Sequence, residues 1–208
     1  AAAPAPVEEK RFPLTAAQWE IWYASQRGAA ASSAYNAACI LRLEGALDTD
    51  ALPRGLHQLV ARHESLRITF SPKGEEQIVA PQGRVELPVQ DFSSTEVTRR
   101  DDAMREVIGR ELERPFDLGR GPLFRACLVR VESQRHVLTL VVHHTVSDGW
   151  SLGVIARELA DLYAAEKGGR SPKLTSAPSF AEYATRQAEL RPNSAYAAAE
   201  QFWREQFA

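Results

Sequence analysis

Strand-like and helix-like hydrophobic patterns alternate along the chain from Phe12 almost to its end. "FPLTAAQWEIWYASQ" opens with Thr15 as an N-cap, after which Ala17, Ile21, Trp22 and Ser25 recur at helical spacing. "AYNAACILRLEG" reads as a strand closed by Gly45. "DTDALPRGLHQLVARHESL" reads as a second helix, with Leu52, Leu56, Leu59, Val60 and His63 on one face. "LRITFSPKGEEQIVAP" is strand, turn and strand, with Pro72, Lys73 and Gly74 in the turn. "STEVTRRDDAMREVIGRELERPF" is an amphipathic helix ended by Pro115. "GPLFRACLVRVESQRHVLTLVVHH" supplies two strands around a polar turn at Glu132 to Gln134. Leu152, Ile155, Leu159, Leu162 and Tyr163 trace a further helix, and "PSFAEYATRQAELRP" and "SAYAAAEQFWREQFA" two more. The mixture predicts an α/β fold, a two-layer sandwich of helices packed on a mixed or mostly antiparallel sheet. Trp19, Trp22 and Trp203 are expected in its core.

At 208 residues the chain is long enough for one large domain or one lobe of something bigger, with a substantial apolar core. The formal charge of -2 and the lack of any basic stripe argue against nucleic-acid binding. No apolar run approaches the roughly 20 residues that a membrane span needs. Residues 1–11 lack the apolar centre of a signal peptide and read as an Ala/Pro linker, leaving 12–208 as the folded part. Cys39 and Cys127 sit in apolar runs without metal-site spacing, as buried thiols in a reducing, cytoplasmic compartment would.

The chemistry gathers in "VLTLVVHHTVSDGWSLG", where an apolar strand ends in two histidines, an aspartate and a glycine. Neighbouring strand residues point to opposite faces, so one of His143 and His144 should be buried while the other looks out from the strand end. Parity does not choose between them, because both faces of this strand are apolar. Asp148 suits the N-cap of the helix that begins near Gly149, and the Gly149 N–H lies where developing negative charge would be stabilised. An imidazole is the side chain here suited to proton transfer near neutrality. A metal site would need His143, His144 and Asp148 to converge, which strand geometry opposes. "GWSLG" fits the G-x-S-x-G pattern of serine hydrolases, but that triad needs a histidine after Ser151, and all five histidines precede it.

"HHTVSDGWS" resembles the H-H-x-x-x-D-G motif of nonribosomal peptide synthetase condensation domains. "LTAAQWEIWYASQ" and "RHESLRITF" are similar to that family's first and second motifs, and "RPFDLGRGPLFRACLV" to its segment before the third. "SFAEYATRQ" resembles a weakened fourth motif without its usual second aromatic pair, and "FWREQFA" the stretch after it. The resemblance covers the chain from Phe12 onward.

It implies a chloramphenicol acetyltransferase-like lobe, the amino-terminal one of a V-shaped pair, followed by helices leading towards a second lobe. Standing alone, such a lobe would lack half of the substrate tunnel and be inactive. His144 is implied as the catalytic histidine, with His143 its structural neighbour. Asp148 would pair with Arg67, assisted by Arg62, and Gly149 would offer its N–H to the reacting carbonyl. The implied reaction is amide formation between an acyl or peptidyl thioester and an aminoacyl amine. Both would ride on phosphopantetheine arms of donor and acceptor peptidyl carrier proteins, with no cofactor or metal bound directly. The second lobe and an adenylation domain would be further partners. Heterocyclising relatives carry aspartates in place of the histidines, recruiting ones lack them, and epimerising ones differ after the glycine, so "WSLG" implies the condensing form. A carrier-docking module without chemistry, and an ester-forming or acyl-CoA-dependent acyltransferase, stand as alternatives.

Overall fold

The computed structural model describes residues 9–190 and 194–207. Strand β1 (Lys10–Pro13) leads into α1 (Ala16–Ser25), the five-residue α2 (Ala29–Ser33) and β2 (Asn36–Glu44). Helix α3 (Ala51–Arg62) ends in a single 3-10 turn (Glu64–Arg67), then β3 (Ile68–Phe70), β4 (Glu76–Val79) and β5 (Val89–Asp91) follow. Helix α4 (Val97–Glu113) precedes the long hairpin of β6 (Phe124–Glu132) and β7 (Arg135–His143). Helices α5 (Gly149–Lys167), α6 (Phe180–Leu190) and α7 (Ser194–Gln206) complete the order.

The α/β class and the mixed sheet agree with the sequence pattern, but the strands divide into two sheets. One is β2-β7-β6-β5, antiparallel except for the parallel β5–β6 edge; the other is an antiparallel β1-β4-β3. Helices also cover both faces of the larger sheet, a fuller arrangement than two layers. Cys127, Val129, Val131 and Val137 turn to α4, where they meet Val107. Phe124, Ala126, Leu128, Leu138 and Leu140 turn the other way, into the main core shared with α3 and α5. That double burial explains why β7 reads as a run that is apolar on both faces, interrupted only by Thr139 between Val137 and Val142, rather than an alternating one.

Local chemistry sets the element ends. The Thr15 hydroxyl accepts from the Gln18 N–H at 3.2 Å while the Gln18 side chain accepts from the Thr15 N–H at 3.0 Å, a reciprocal capping box. The last carbonyls of α4 are satisfied from the sheet: Asn36 Nδ2 donates to Leu112 and Arg114, and Arg125 Nη2 donates to Glu111 and Arg114. Gly74 has φ +68°, and a Cβ there would meet the Trp22 ring at 2.5 Å, so the β3–β4 turn admits only glycine against that indole.

Several expectations need correction. Lys10 and Arg11 lie in β1, paired with Val79 and Ile78, so the folded chain starts inside the stretch read as linker; residues 1–8 lie outside the described residues. The buried face of α1 is Gln18, Trp22 and Ser25, whereas Ala17 is exposed. Trp22 joins the core, but Trp19 stacks on Tyr23 at the surface (centroids 5.3 Å apart) and Trp203 is exposed on α7. His63 is the C-cap of α3 rather than a member of its apolar face. Cys127 is buried but Cys39 only half-buried; both are free thiols whose pKa burial raises.

Candidate active site

The choice between the two histidines is made by where β7 stops. His143 is the last strand residue, registered against Asn36 of β2, and its N–H donates to the Leu123 carbonyl at 3.0 Å. The chain then turns: the His144 N–H donates to the Tyr35 carbonyl at 2.8 Å, and the Val146 N–H closes back on the His143 carbonyl at 3.0 Å. The His143 ring is fully buried, edge-on to Phe116 with centroids 6.1 Å apart, and His144 is exposed.

Burial pushes the His143 pKa down to about 4, against a weaker opposing pull from the Ser32 carbonyl. Its Nδ1 lies 2.8 Å from the Thr145 hydroxyl, and Nε2 makes no well-formed hydrogen bond. The Arg125 guanidinium lies over the Phe116 ring, 3.9 Å from its centroid. Arg125 is partly desolvated, which lowers its pKa to about 10. His143 is thus a neutral packing residue whose ring braces the turn that carries His144.

Four residues beyond His144, Asp148 caps α5. Its Oδ1 accepts from the Ser151 N–H at 2.8 Å and from the Ser151 hydroxyl at 2.7 Å. These bonds hold its carboxyl below the usual range, and the charge of neighbouring His144 contributes. The Ser151 hydroxyl is therefore a donor within a helix cap. Gly149 begins α5, where backbone N–H groups have no intrahelical acceptor, so its donor is available to an incoming oxyanion. A Cβ at Gly149 would meet nothing within 4 Å, so local packing does not demand glycine there.

The expected Asp148–Arg67 ion pair is not formed. Arg67 ends the 3-10 turn, and its guanidinium donates to the Val60 carbonyl at 3.1 Å and to the Ala80 carbonyl. A Cβ at Gly83 would meet the Arg67 Cγ at 2.6 Å, so the loop after β4 passes close to its aliphatic stem. Arg62 is not on Asp148 either. Its Nε lies 2.8 Å from Glu158 Oε2, and His63 Nε2 reaches the same oxygen at 2.7 Å. Partial burial of Glu158 opposes its ionisation, but Arg62 and His63 outweigh that and keep its pKa low. This trio borders a cavity of about 460 Å³ whose rim also includes Ser147, Trp150 and Tyr183.

The structure thus leaves His144, Asp148 and Gly149 exposed on the turn after β7 and the start of α5, buries His143 at the strand end, and sets Arg67 and Arg62 to other work. Glu158 lies in no motif, and the segment that holds Phe116 and Arg125 does not by itself mark those two. Gln18 could have been found: it lies four and seven residues before Trp22 and Ser25, on the same helical stripe. Among the described residues no group of three or more His, Cys, Asp or Glu could hold a metal ion, and no helix is long and apolar enough to cross a membrane.

The fold is that of solved condensation domains. The starter condensation domain of rhizomide synthetase RzmA superposes with a TM-score of 0.85 at 26% identity, covering 95% of this chain and 48% of that one. A variant of that domain in complex with C8-CoA superposes equally well, at 0.85 and 25% identity, over 95% and 45% of the two chains.

The chain itself belongs to the condensation-domain family, whose model, described as "Condensation domain", matches residues 8–208. It is 40% identical over 197 residues to chondramide synthase cmdD of Chondromyces crocatus, 93% of this chain but 5% of that protein. The chain thus spans a small part of its curated relatives and about half of each solved domain.

Proposed function

We propose that this chain is the amino-terminal lobe of a condensing domain that joins an acyl or peptidyl thioester to an aminoacyl amine. Both reactants would be carried on the phosphopantetheine arms of donor and acceptor carrier proteins. The observation that carries this reading is the division of labour between adjacent histidines: His143 neutral and sealed in, His144 exposed beside the start of α5. The order of motifs along the chain, first to fourth, supports the amino-terminal assignment. The C8-CoA complex of the rhizomide synthetase domain supports an acyl thioester as the donor class.

In the reaction the amine nitrogen attacks the thioester carbonyl, the new C–N bond forms, and the C–S bond breaks to release the donor thiol. His144 takes the proton that the amine must lose or orients it towards the departing sulfur. The Gly149 N–H and the positive end of α5 face the oxygen that becomes negative in the tetrahedral intermediate. Tethering both reactants makes their meeting effectively intramolecular, which supplies much of the acceleration. The cytoplasmic placement belongs to the same reading, on the two free cysteines.

The test is amide formation by a polypeptide containing the complete domain, supplied with both loaded carriers. His144→Ala is expected to lower product formation about 10²-fold or more. Product at the unsubstituted rate would overturn the assignment.

A further inference from the structure

The residue immediately after His144 is held by a pair of buried glutamines that no motif joins. Gln18 of α1 is 4% exposed and Gln77 of β4 is 0% exposed. Gln18 Nε2 donates to Gln77 Oε1 at 2.9 Å and to the Thr145 carbonyl at 3.1 Å. Gln77 Nε2 donates back to Gln18 Oε1 at 2.8 Å and to the Pro13 carbonyl at 2.9 Å. Gln18 Oε1 also accepts the Thr15 N–H at 3.0 Å. Both amides therefore have all their N–H groups donated and their oxygens accepting. The network permits only this orientation, because a flipped Gln18 would set its NH₂ against the Thr15 N–H.

This pair does more than satisfy itself. The three-stranded sheet shares no strand pairing with the four-stranded one, and through Gln77 and Gln18 it reaches the turn that follows β7. The backbone around His144 is consequently held at two points: its own N–H by the Tyr35 carbonyl at 2.8 Å and, one residue further on, the Thr145 carbonyl by Gln18. Thr145 is 3% exposed, so without Gln18 its carbonyl would have no water to replace the lost donor.

We propose that Gln18, supported by Gln77, is a positioning residue for His144. It sets the pitch of the 143–147 turn and hence where the exposed imidazole projects. The proposal deepens the functional reading above and rests on it. A misplacement of about 1 Å in a reacting group costs on the order of 10²-fold in rate, so the turn is a sensitive place to act.

The experiment is a double-mutant cycle on the complete domain with both loaded carriers, using Gln18→Leu and His144→Ala singly and together. Gln18→Leu is expected to lower kcat about 10- to 100-fold while KM for either carrier stays within about 2-fold. In the His144→Ala background it is expected to cause no further loss, because nothing remains to be positioned. An undiminished kcat, or the same fractional loss in both backgrounds, would overturn the proposal in favour of a purely structural role. Should Gln18→Leu fail to fold, Gln77→Met enters the same cycle. That variant keeps the Gln18–Thr145 bond but loosens its support, with an expected loss of about 3- to 10-fold, again only when His144 is present. No loss with Gln77→Met, or its failure to fold as well, also counts against positioning. A His144→Ala protein that alone keeps full activity would refute the functional reading, an outcome separate from any Gln18 result.

Discussion

Asp148 takes two hydrogen bonds from Ser151, at 2.8 Å from the backbone N–H and 2.7 Å from the hydroxyl, and none from Arg67. The aspartate of this motif thus begins a helix rather than neutralising a distant cation. Its removal is expected to destabilise by about 1 kcal/mol in Asp148→Ala and far less in Asp148→Asn, measured by urea unfolding. Combining Asp148→Ala with Arg67→Ala should give losses that add to within about 0.5 kcal/mol. Strong coupling between the two would show that they interact after all.

His143 makes stability depend on pH. Its folded pKa is about 4, below the ordinary histidine value, so between about pH 6.5 and pH 4 the unfolded chain binds a proton that the folded chain does not. Stability is therefore complete above that window and is lost as pH falls through it, by up to about 3 kcal/mol. Urea midpoints at about pH 7 and about pH 5 are expected to differ for the native sequence, and His143→Phe should remove most of that slope. An equal slope in both proteins would contradict the buried neutral ring.

Glu158 holds both Arg62 and His63 with one carboxylate, and its side chain is 14% exposed. Glu158→Ala leaves Arg62 partly buried without its counter-charge and is expected to cost about 1–2 kcal/mol after allowing for solvent screening. Replacing Arg62 by Met in the same protein should recover part of the loss, because the orphaned charge is then gone. Thermal melts of the single and double variants decide it.

Two glycines test the packing in opposite directions. Gly74→Ala must hold a left-handed backbone and push a methyl group into Trp22, so a loss of about 2 kcal/mol or more is expected. Gly109 lies inside α4 with no atom within 4 Å of an added Cβ, and Gly109→Ala is expected to stabilise by about 0.5–1 kcal/mol. Both are read as shifts in melting temperature.

How much of this was legible beforehand depended on whether a feature repeats along the chain. The Thr15 cap, the apolar stripes of α3 and α5 and the β6–β7 hairpin recur at regular spacing, and they stand where the pattern put them. Strands β1 and β5 are too short to show a period, and their pairing partners lie 39 or more residues away, so local pattern carried no trace of them. At the site, strand parity required the two histidines to part company but could not say which went inside. That was settled by β7 ending at His143 and by the Tyr35 carbonyl catching the next N–H. Arg67 was assigned to Asp148 by resemblance, whereas two nearer carbonyls, of Val60 and Ala80, claim its guanidinium. Gln18 was passed over because a polar letter on an apolar stripe looks like an interruption, although a fully bonded amide is as much at home there as a hydrocarbon.

Because β7 stops at His143, its length is as constrained as its letters. Deleting a single residue between Val137 and Val142 would draw His144 into the place opposite Asn36, shut that imidazole behind Phe116, and bring Thr145 to the rim. Such a chain would keep both histidines and most of its composition while presenting a hydroxyl where the imidazole now stands. Drift by substitution can leave this site intact; drift by insertion or loss inside that one strand cannot.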